Sequence, residues 1–160
     1  SIIPRGDAGG VTFFQPISDD VGMYTKQYLL SQIKVALGGH AAEEFAYGKS
    51  QVSTGATSDF AQVYIIARQM VTKCGFSETI GKMNIDDAMI STRSSYIVEK
   101  EMKDIVDKCY KEVLFLLESN KEKLEQLKDL LVEQEIVDGE DVYEIVASCH
   151  VPPSSNKPKS

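Results

Sequence analysis

Val52-Ser53-Thr54-Gly55-Ala56-Thr57-Ser58-Asp59-Phe60, with the residues that follow it to Gly75, decides the fold. Small and hydroxylated residues lead into a carboxylate, and apolar side chains then recur at a helical interval. Phe60, Val63, Tyr64, Ala67 and Val71 stand at i, i+3, i+4, i+7 and i+11. That spacing predicts an amphipathic helix from about Ser58-Asp59 to Lys73 with those five residues on its apolar side. Gly75 follows where a left-handed residue commonly ends a helix. Ser58 or Asp59 suits the helix start, because an oxygen there satisfies a free backbone N–H and a negative charge offsets the positive helix end. The same carboxylate has a second possible use. Held rigidly, it is a hard oxygen donor of the kind zinc accepts when two histidines supply the other protein ligands. The chain has only two histidines, His40 and His150, 110 positions apart, and no His-Glu-x-x-His. By itself it cannot assemble a catalytic zinc site.

Toward the N-terminus, Thr25 is an N-cap candidate for a helix reaching about Ala46, with Leu29, Ile33, Ala36, Leu37, Ala41 and Phe45 along one side. Gly38-Gly39 in its middle costs roughly 1 kcal/mol per glycine relative to alanine. That cost suggests a close backbone neighbour or a bend. Gly48 is the expected stop. Glu43 and Glu44 are adjacent, so they point about 100° apart on a helix and cannot form one acid/base dyad. Such a pair is commonly a solvated face; alternatively one of them turns inward and orients a histidine that ligates a metal. His40 reads as a surface or half-buried helix residue. Before this helix, Ser1–Pro4 and Val11–Gln15 are β-prone runs joined through Gly6, Gly9 and Gly10, which predicts a small ribbon over residues 1–16. Pro4 and Pro16 restrict it to a sheet edge.

Toward the C-terminus, Phe76 to Ser95 shows no periodicity. A long helix is expected from Tyr96 to Ser119, burying Val98, Met102, Ile105, Val106, Cys109, Val113, Leu116 and Leu117. Asn120 then caps a helix carrying Leu124, Leu127, Leu130 and Leu131. Asp138 with Asp141 resembles a capping box before Val142, Ile145 and Val146. The expectation is a mainly α-helical domain with a small N-terminal β-ribbon: residues 1–147 as one partial domain (ribbon 1–16, helical part 25–147) and a disordered tail over 148–160, rich in Pro, Ser and Lys.

Composition narrows the function. Of the 160 residues 17 are Lys or Arg and 24 Asp or Glu, a net charge of −7. Residues 99–144 alone hold 15 acidic and 7 basic side chains, so the acidity belongs to the C-terminal helices. That balance argues against a nucleic-acid binder, which needs clustered Lys and Arg. No apolar run exceeds five residues, which rules out a membrane span within the chain. Cys74, Cys109 and Cys149 are odd in number and widely spaced, as in a reducing compartment, and read as small hydrophobes. The chain opens at Ser1 without an initiator Met, as expected of a piece of a longer protein.

Together these runs resemble the C-terminal peptidase domain of the FtsH family, the membrane-anchored, ATP-dependent AAA zinc metalloproteases. The resemblance rests on Ser1-Ile2-Ile3-Pro4-Arg5-Gly6, Leu37-Gly38-Gly39-His40-Ala41-Ala42-Glu43-Glu44, Ser53 to Phe60, Ala67-Arg68-Gln69-Met70-Val71-Thr72, Gly75-Phe76-Ser77-Glu78 and the segment from Glu135 to Ile145, in the family's order. It covers about residues 1–147. The resemblance implies a zinc endopeptidase in which a His-Glu-x-x-His helix supplies two ligands and the general-base Glu, and a downstream carboxylate completes the site. That carboxylate falls on Asp59. The ion would bring the pKa of its water toward neutrality and polarise the scissile carbonyl. No general base is expected in this chain; it belongs upstream of Ser1, so the segment is expected to be inactive and to hold no zinc tightly. Glu43 and Glu44 remain candidates for orienting metal ligands. His40 stands where the family usually has Arg.

The resemblance further implies one zinc per subunit, ATP and magnesium in an upstream ATPase module, protein substrates that are unfolded or damaged, and a homo- or hetero-hexamer. It also implies a membrane anchor outside this chain, in a mitochondrial or plastid membrane for a eukaryote and the plasma membrane for a bacterium. Val11, Thr12, Phe13 and Phe14 are expected to form an edge that binds extended substrate through backbone hydrogen bonds. The competing readings are a non-catalytic homologue serving as a ring-assembly scaffold, and a helical interaction module unrelated to proteolysis.

Overall fold

The computed structural model describes residues 1–3, 23–86 and 91–151, without the Arg93 side chain. The described residues form five α-helices and no strand: α1 Lys26–Tyr47, α2 Thr57–Thr72, α3 Thr92–Ser119, α4 Lys121–Gln134 and α5 Gly139–Val146, with a 3-10 turn at Lys49–Gln51. The mainly helical class expected from the periodicity is observed. The ribbon is not: Ser1–Ile3 make no strand, and the rest of the expected hairpin, including Val11–Phe14, lies outside the described residues. No described helix is long and apolar enough to cross a membrane.

The described residues fall into two compact units, one within 23–115 and one of residues 1–3 with 116–151. In the first, Thr25 starts α1 as expected: its backbone is extended and its hydroxyl accepts the Tyr28 N–H at 3.1 Å. Gly48, at φ 83°, ends α1 while its N–H donates to the Glu44 carbonyl. The core gathers Ile33, Ala36 and Leu37 of α1, Val63, Ala67, Met70 and Val71 of α2, and Val98, Met102 and Cys109 of α3.

Several expectations are corrected here. Phe60 and Tyr64 are 41% and 53% exposed, while Met70, which the expected stripe omitted, is fully buried. Val63, Ala67, Met70 and Val71 make a face at i, i+4, i+7 and i+8, turned by about 20° from the expected stripe; Tyr64 falls on its margin, while Phe60 lies in line with it but in the first turn of α2. Gly38 and Gly39 have nothing within 4 Å of where a Cβ would stand. No described backbone requires them, and α1 runs through both without a break.

The aperiodic stretch after α2 is anchored by non-local bonds. Buried Ser77 donates to Glu101 Oε2 at 2.7 Å and accepts the Ile80 N–H, and the Glu78 N–H donates to Glu101 Oε1 at 2.9 Å. Glu101 thus ties this turn to α3. Gly75 adopts φ +63°, and a Cβ there would stand 3.4 Å from the Lys82 backbone.

In the second unit Asn120 precedes α4 but makes no side-chain cap. Its amide instead pairs with the His150 backbone, Nδ2 donating to the carbonyl at 2.8 Å and Oδ1 accepting the N–H at 2.6 Å. Asp138 takes the N-cap position of α5 with extended backbone, yet its side chain accepts no capping bond. Leu116, expected to be buried, is 37% exposed. Of the expected tail 148–160, residues 152–160 lie outside the described residues.

Candidate functional site

Asp59 is the third residue of α2. It is half-buried, and among the described residues its carboxylate has no hydrogen-bond or ion-pair partner. The helix does not use it as a cap: the N-cap position is Ala56, and no side chain caps it. The N-terminal turn is closed instead by Thr54, whose carbonyl accepts from the Thr57 N–H at 3.2 Å and the Thr57 hydroxyl at 2.6 Å. The Asp59 carboxylate is therefore left uncommitted at the positive end of a helix, where negative charge is favoured.

The turn before it is gripped from α1. Glu43 accepts the Ser53 N–H on Oε2 at 2.7 Å and the Ser53 hydroxyl on Oε1 at 2.9 Å. Ser53 Oγ in turn accepts the Gly55 N–H at 3.1 Å. Those two bonds from Ser53, backbone first, hold the Glu43 carboxyl below its ordinary range, with a smaller push from nearby His40. Glu44 turns to a different element. It accepts the Tyr110 hydroxyl of α3 at 2.6 Å and forms an ion pair with Lys49 at 3.7 Å. Burial, and then the bond to Glu44, raises the Tyr110 phenol well above its usual range. The adjacent carboxylates that the sequence left between a solvated face and a metal-orienting role thus brace α1 to the start of α2 and to α3. Neither hydrogen-bonds a histidine among the described residues.

His40 lies on the same side of α1. Its ring meets Phe60 edge-on at 5.0 Å between centroids and Tyr110 at 6.0 Å. Its Nδ1 is buried with no hydrogen-bond partner among the described residues.

A half-buried, unpartnered carboxylate suits one coordination position of a zinc ion. The described residues do not complete a site, because they contain no group of three His, Cys, Asp or Glu able to hold a metal.

Residues 1–145 match the sequence model of peptidase family M41. The chain belongs to peptidase family M41. Its relatives include the ATP-dependent zinc metalloprotease FtsH of Synechococcus sp. (strain JA-2-3B'a(2-13)), 36% identical over 165 residues covering 94% of this chain and 26% of the relative. The chloroplastic ATP-dependent zinc metalloprotease FTSH of Medicago sativa is 42% identical over 157 residues, 88% of this chain and 22% of the relative. FtsH 3 of Synechocystis sp. is 38% identical over 164 residues, 92% and 27%. The chain spans about a quarter of the length of these M41 relatives, and the FtsH resemblance read from the motifs is borne out.

Ser53 and Tyr110 were not singled out from the sequence. Ser53 sits ten residues beyond Glu43, across a helix end and a loop, a pairing with no local signature. Tyr110 carried a weak signal: a tyrosine beside the apolar face of a helix needs a partner for its hydroxyl.

Proposed function

We propose that this chain is the peptidase-domain segment, over residues 1–147, of a membrane-anchored, ATP-dependent zinc metalloendopeptidase that degrades unfolded or damaged proteins. In this reading Asp59 is its carboxylate ligand to zinc. The observation that carries the proposal is the uncommitted Asp59 carboxylate on a helix start anchored to α1. The M41 match and the names of the FtsH relatives support it. The two histidine ligands and the general-base Glu come from a His-Glu-x-x-His helix of the longer protein, since this chain has only His40 and His150. The ion, when bound, supplies Lewis-acid activation of water and of the scissile carbonyl. Asp59 contributes a negative oxygen at a fixed place, and α1 and α2 keep that place rigid.

The ATP and magnesium sites belong to an ATPase module of the same protein, in a hexameric ring. The chloroplastic and bacterial relatives support an organelle or bacterial membrane. Val11–Phe14 is the proposed contact for extended substrate, and loss of amide protection there on removing substrate is the corresponding test. The 160-residue chain alone hydrolyses no peptide, because it supplies one candidate ligand.

The test is zinc content and casein hydrolysis of the full-length protein with and without Asp59→Ala. The expected result is loss of both. Retention of both would refute the role of Asp59, and full-length protein that never binds zinc would favour the scaffold reading.

A further inference from the structure

Hydrogen bonds of Ser53 to Glu43, of Gly55 to Ser53 and of Thr57 to Thr54, joined through the backbone between them, lead from the body of α1 to the first turn of α2. Glu43 takes both the N–H and the hydroxyl of Ser53, an arrangement that fixes the backbone and the χ1 of a single residue at once. The Ser53 hydroxyl passes the restraint to the Gly55 N–H, and the Thr54 carbonyl passes it to Thr57, two residues before Asp59. The turn is tight. A Cβ on Gly55 would stand 3.1 Å from Ser53 Oγ and 3.9 Å from Glu43 Oε1, so only glycine leaves this geometry undisturbed. Ser53, Thr54 and Gly55 are exposed, and no apolar packing holds them. Their placement depends on these polar bonds. Charge-assisted hydrogen bonds to a carboxylate are about twice as strong as neutral ones, which makes Glu43 the strongest link.

We propose that Ser53, gripped by Glu43, is the positioning residue for Asp59: it fixes the start of α2 so that the carboxylate meets a metal without an ordering cost at the moment of binding. This rests on the reading of Asp59 as a zinc ligand. A ligand whose backbone must be ordered on binding loses affinity by that ordering, whereas a pre-fixed one does not. Ser53 touches neither metal nor substrate and acts only through the turn.

The test uses the full-length protein, with zinc affinity read by competition against a chromophoric chelator and amide exchange read at residues 53–60. Ser53→Ala is expected to weaken zinc binding about 10-fold, the lower end for residues that orient metal ligands, and to speed exchange at Gly55 and Thr57. Ser53→Thr, which keeps the N–H and the hydroxyl, should restore both to within about 2-fold. Glu43→Ala should weaken zinc at least as much, and adding Ser53→Ala to it should cost less than Ser53→Ala costs alone, because the Ser53–Glu43 bond is already gone and only the bond from Gly55 to the Ser53 hydroxyl is left to lose. Asp59→Ala serves as the reference for the underlying reading. If it lowers zinc affinity while Ser53→Ala and Glu43→Ala leave it unchanged, the positioning role is wrong and the ligand reading stands. If Asp59→Ala itself leaves zinc affinity unchanged, the ligand reading fails and the positioning role with it. Should Glu43→Ala fail to fold, the Ser53 pair still decides.

Discussion

Residues 23–115 and residues 116–151 are both helical, yet they bury their apolar side chains very differently. Every buried hydrophobic residue of the described chain falls in 23–115, among them Ile33, Val63, Met70, Val71 and Val98. Neither α4 nor α5 buries a single residue, and Val132, Tyr143 and Val146 are exposed. The candidate site follows the same division. Asp59, Ser53, Glu43 and His40 all belong to the packed unit. A carboxylate proposed to wait in place for a metal needs a rigid support, and among the described residues the buried core lies in the first unit. The acidic C-terminal helices hold their shape with far fewer buried groups, so local bonds such as Asn120 to His150 matter more there.

The largest way to break this contrast is a cavity. Met70→Ala in α2 should destabilise the chain by about 2–5 kcal/mol in urea unfolding, because a fully buried side chain leaves a hole that relaxes only partly. Val132→Ala, 68% exposed, should stay within about 0.5 kcal/mol. Equal losses would erase the distinction between the units.

Thiol reactivity sharpens it next. Burial pushes the Cys109 thiol up to about 11, so at pH 8 it is protonated as well as sheltered. Iodoacetamide should label exposed Cys74 readily and leave Cys109 untouched until the chain unfolds. Labelling of Cys109 at the rate of Cys74 would contradict the packed core.

Smaller effects probe the polar restraints. Asn120→Ala removes two bonds to the His150 backbone and should cost about 0.5–1.5 kcal/mol, with faster exchange at the His150 amide. Gly39→Ala should instead stabilise the chain by about 0.5–1 kcal/mol, since α1 has open space at that position.

The Glu43 clamp adds a pH dependence. A carboxyl held below its ordinary value stabilises the fold fully above the unfolded value of 4.5, and that contribution is lost as the pH falls through the folded value. Protection of the Ser53 and Gly55 amides, whose bonds run to Glu43 and Ser53 Oγ, should therefore be constant above pH 5 and fade only below about pH 4.5. Fading already at pH 6 would point to a different group.

The sequence showed the helices because periodicity is local. Thr25, Gly48 and the Ile33, Leu37 and Ala41 face could each be read from spacing and caps. It misassigned Tyr64 and missed Met70 because the face that α2 buries is turned slightly from the stripe its apolar residue types draw, which leaves Tyr64 at the margin and takes in Met70. Phe60 lies in line with the buried face, but it stands in the first turn of α2 and stays 41% exposed. The capping bonds expected of Asn120 and Asp138 failed for a related reason: residue type suggested a partner, but tertiary context supplied a better one for Asn120. In the candidate site, the Ser53–Phe60 motif pointed to Asp59, which the structure places half-buried in the first turn of α2. The bonds from Glu43 to Ser53 and from Glu44 to Tyr110 were not, since they span 10 and 66 positions and depend on how the helices pack.

The central claim is that the Asp59 oxygen completes a zinc site whose other ligands lie in the rest of the protein. Anomalous diffraction at the zinc edge from crystals of the full-length protein tests it most directly. The account expects a zinc peak about 2.0–2.2 Å from an Asp59 carboxylate oxygen. A fully ligated zinc with Asp59 far from it would contradict the account.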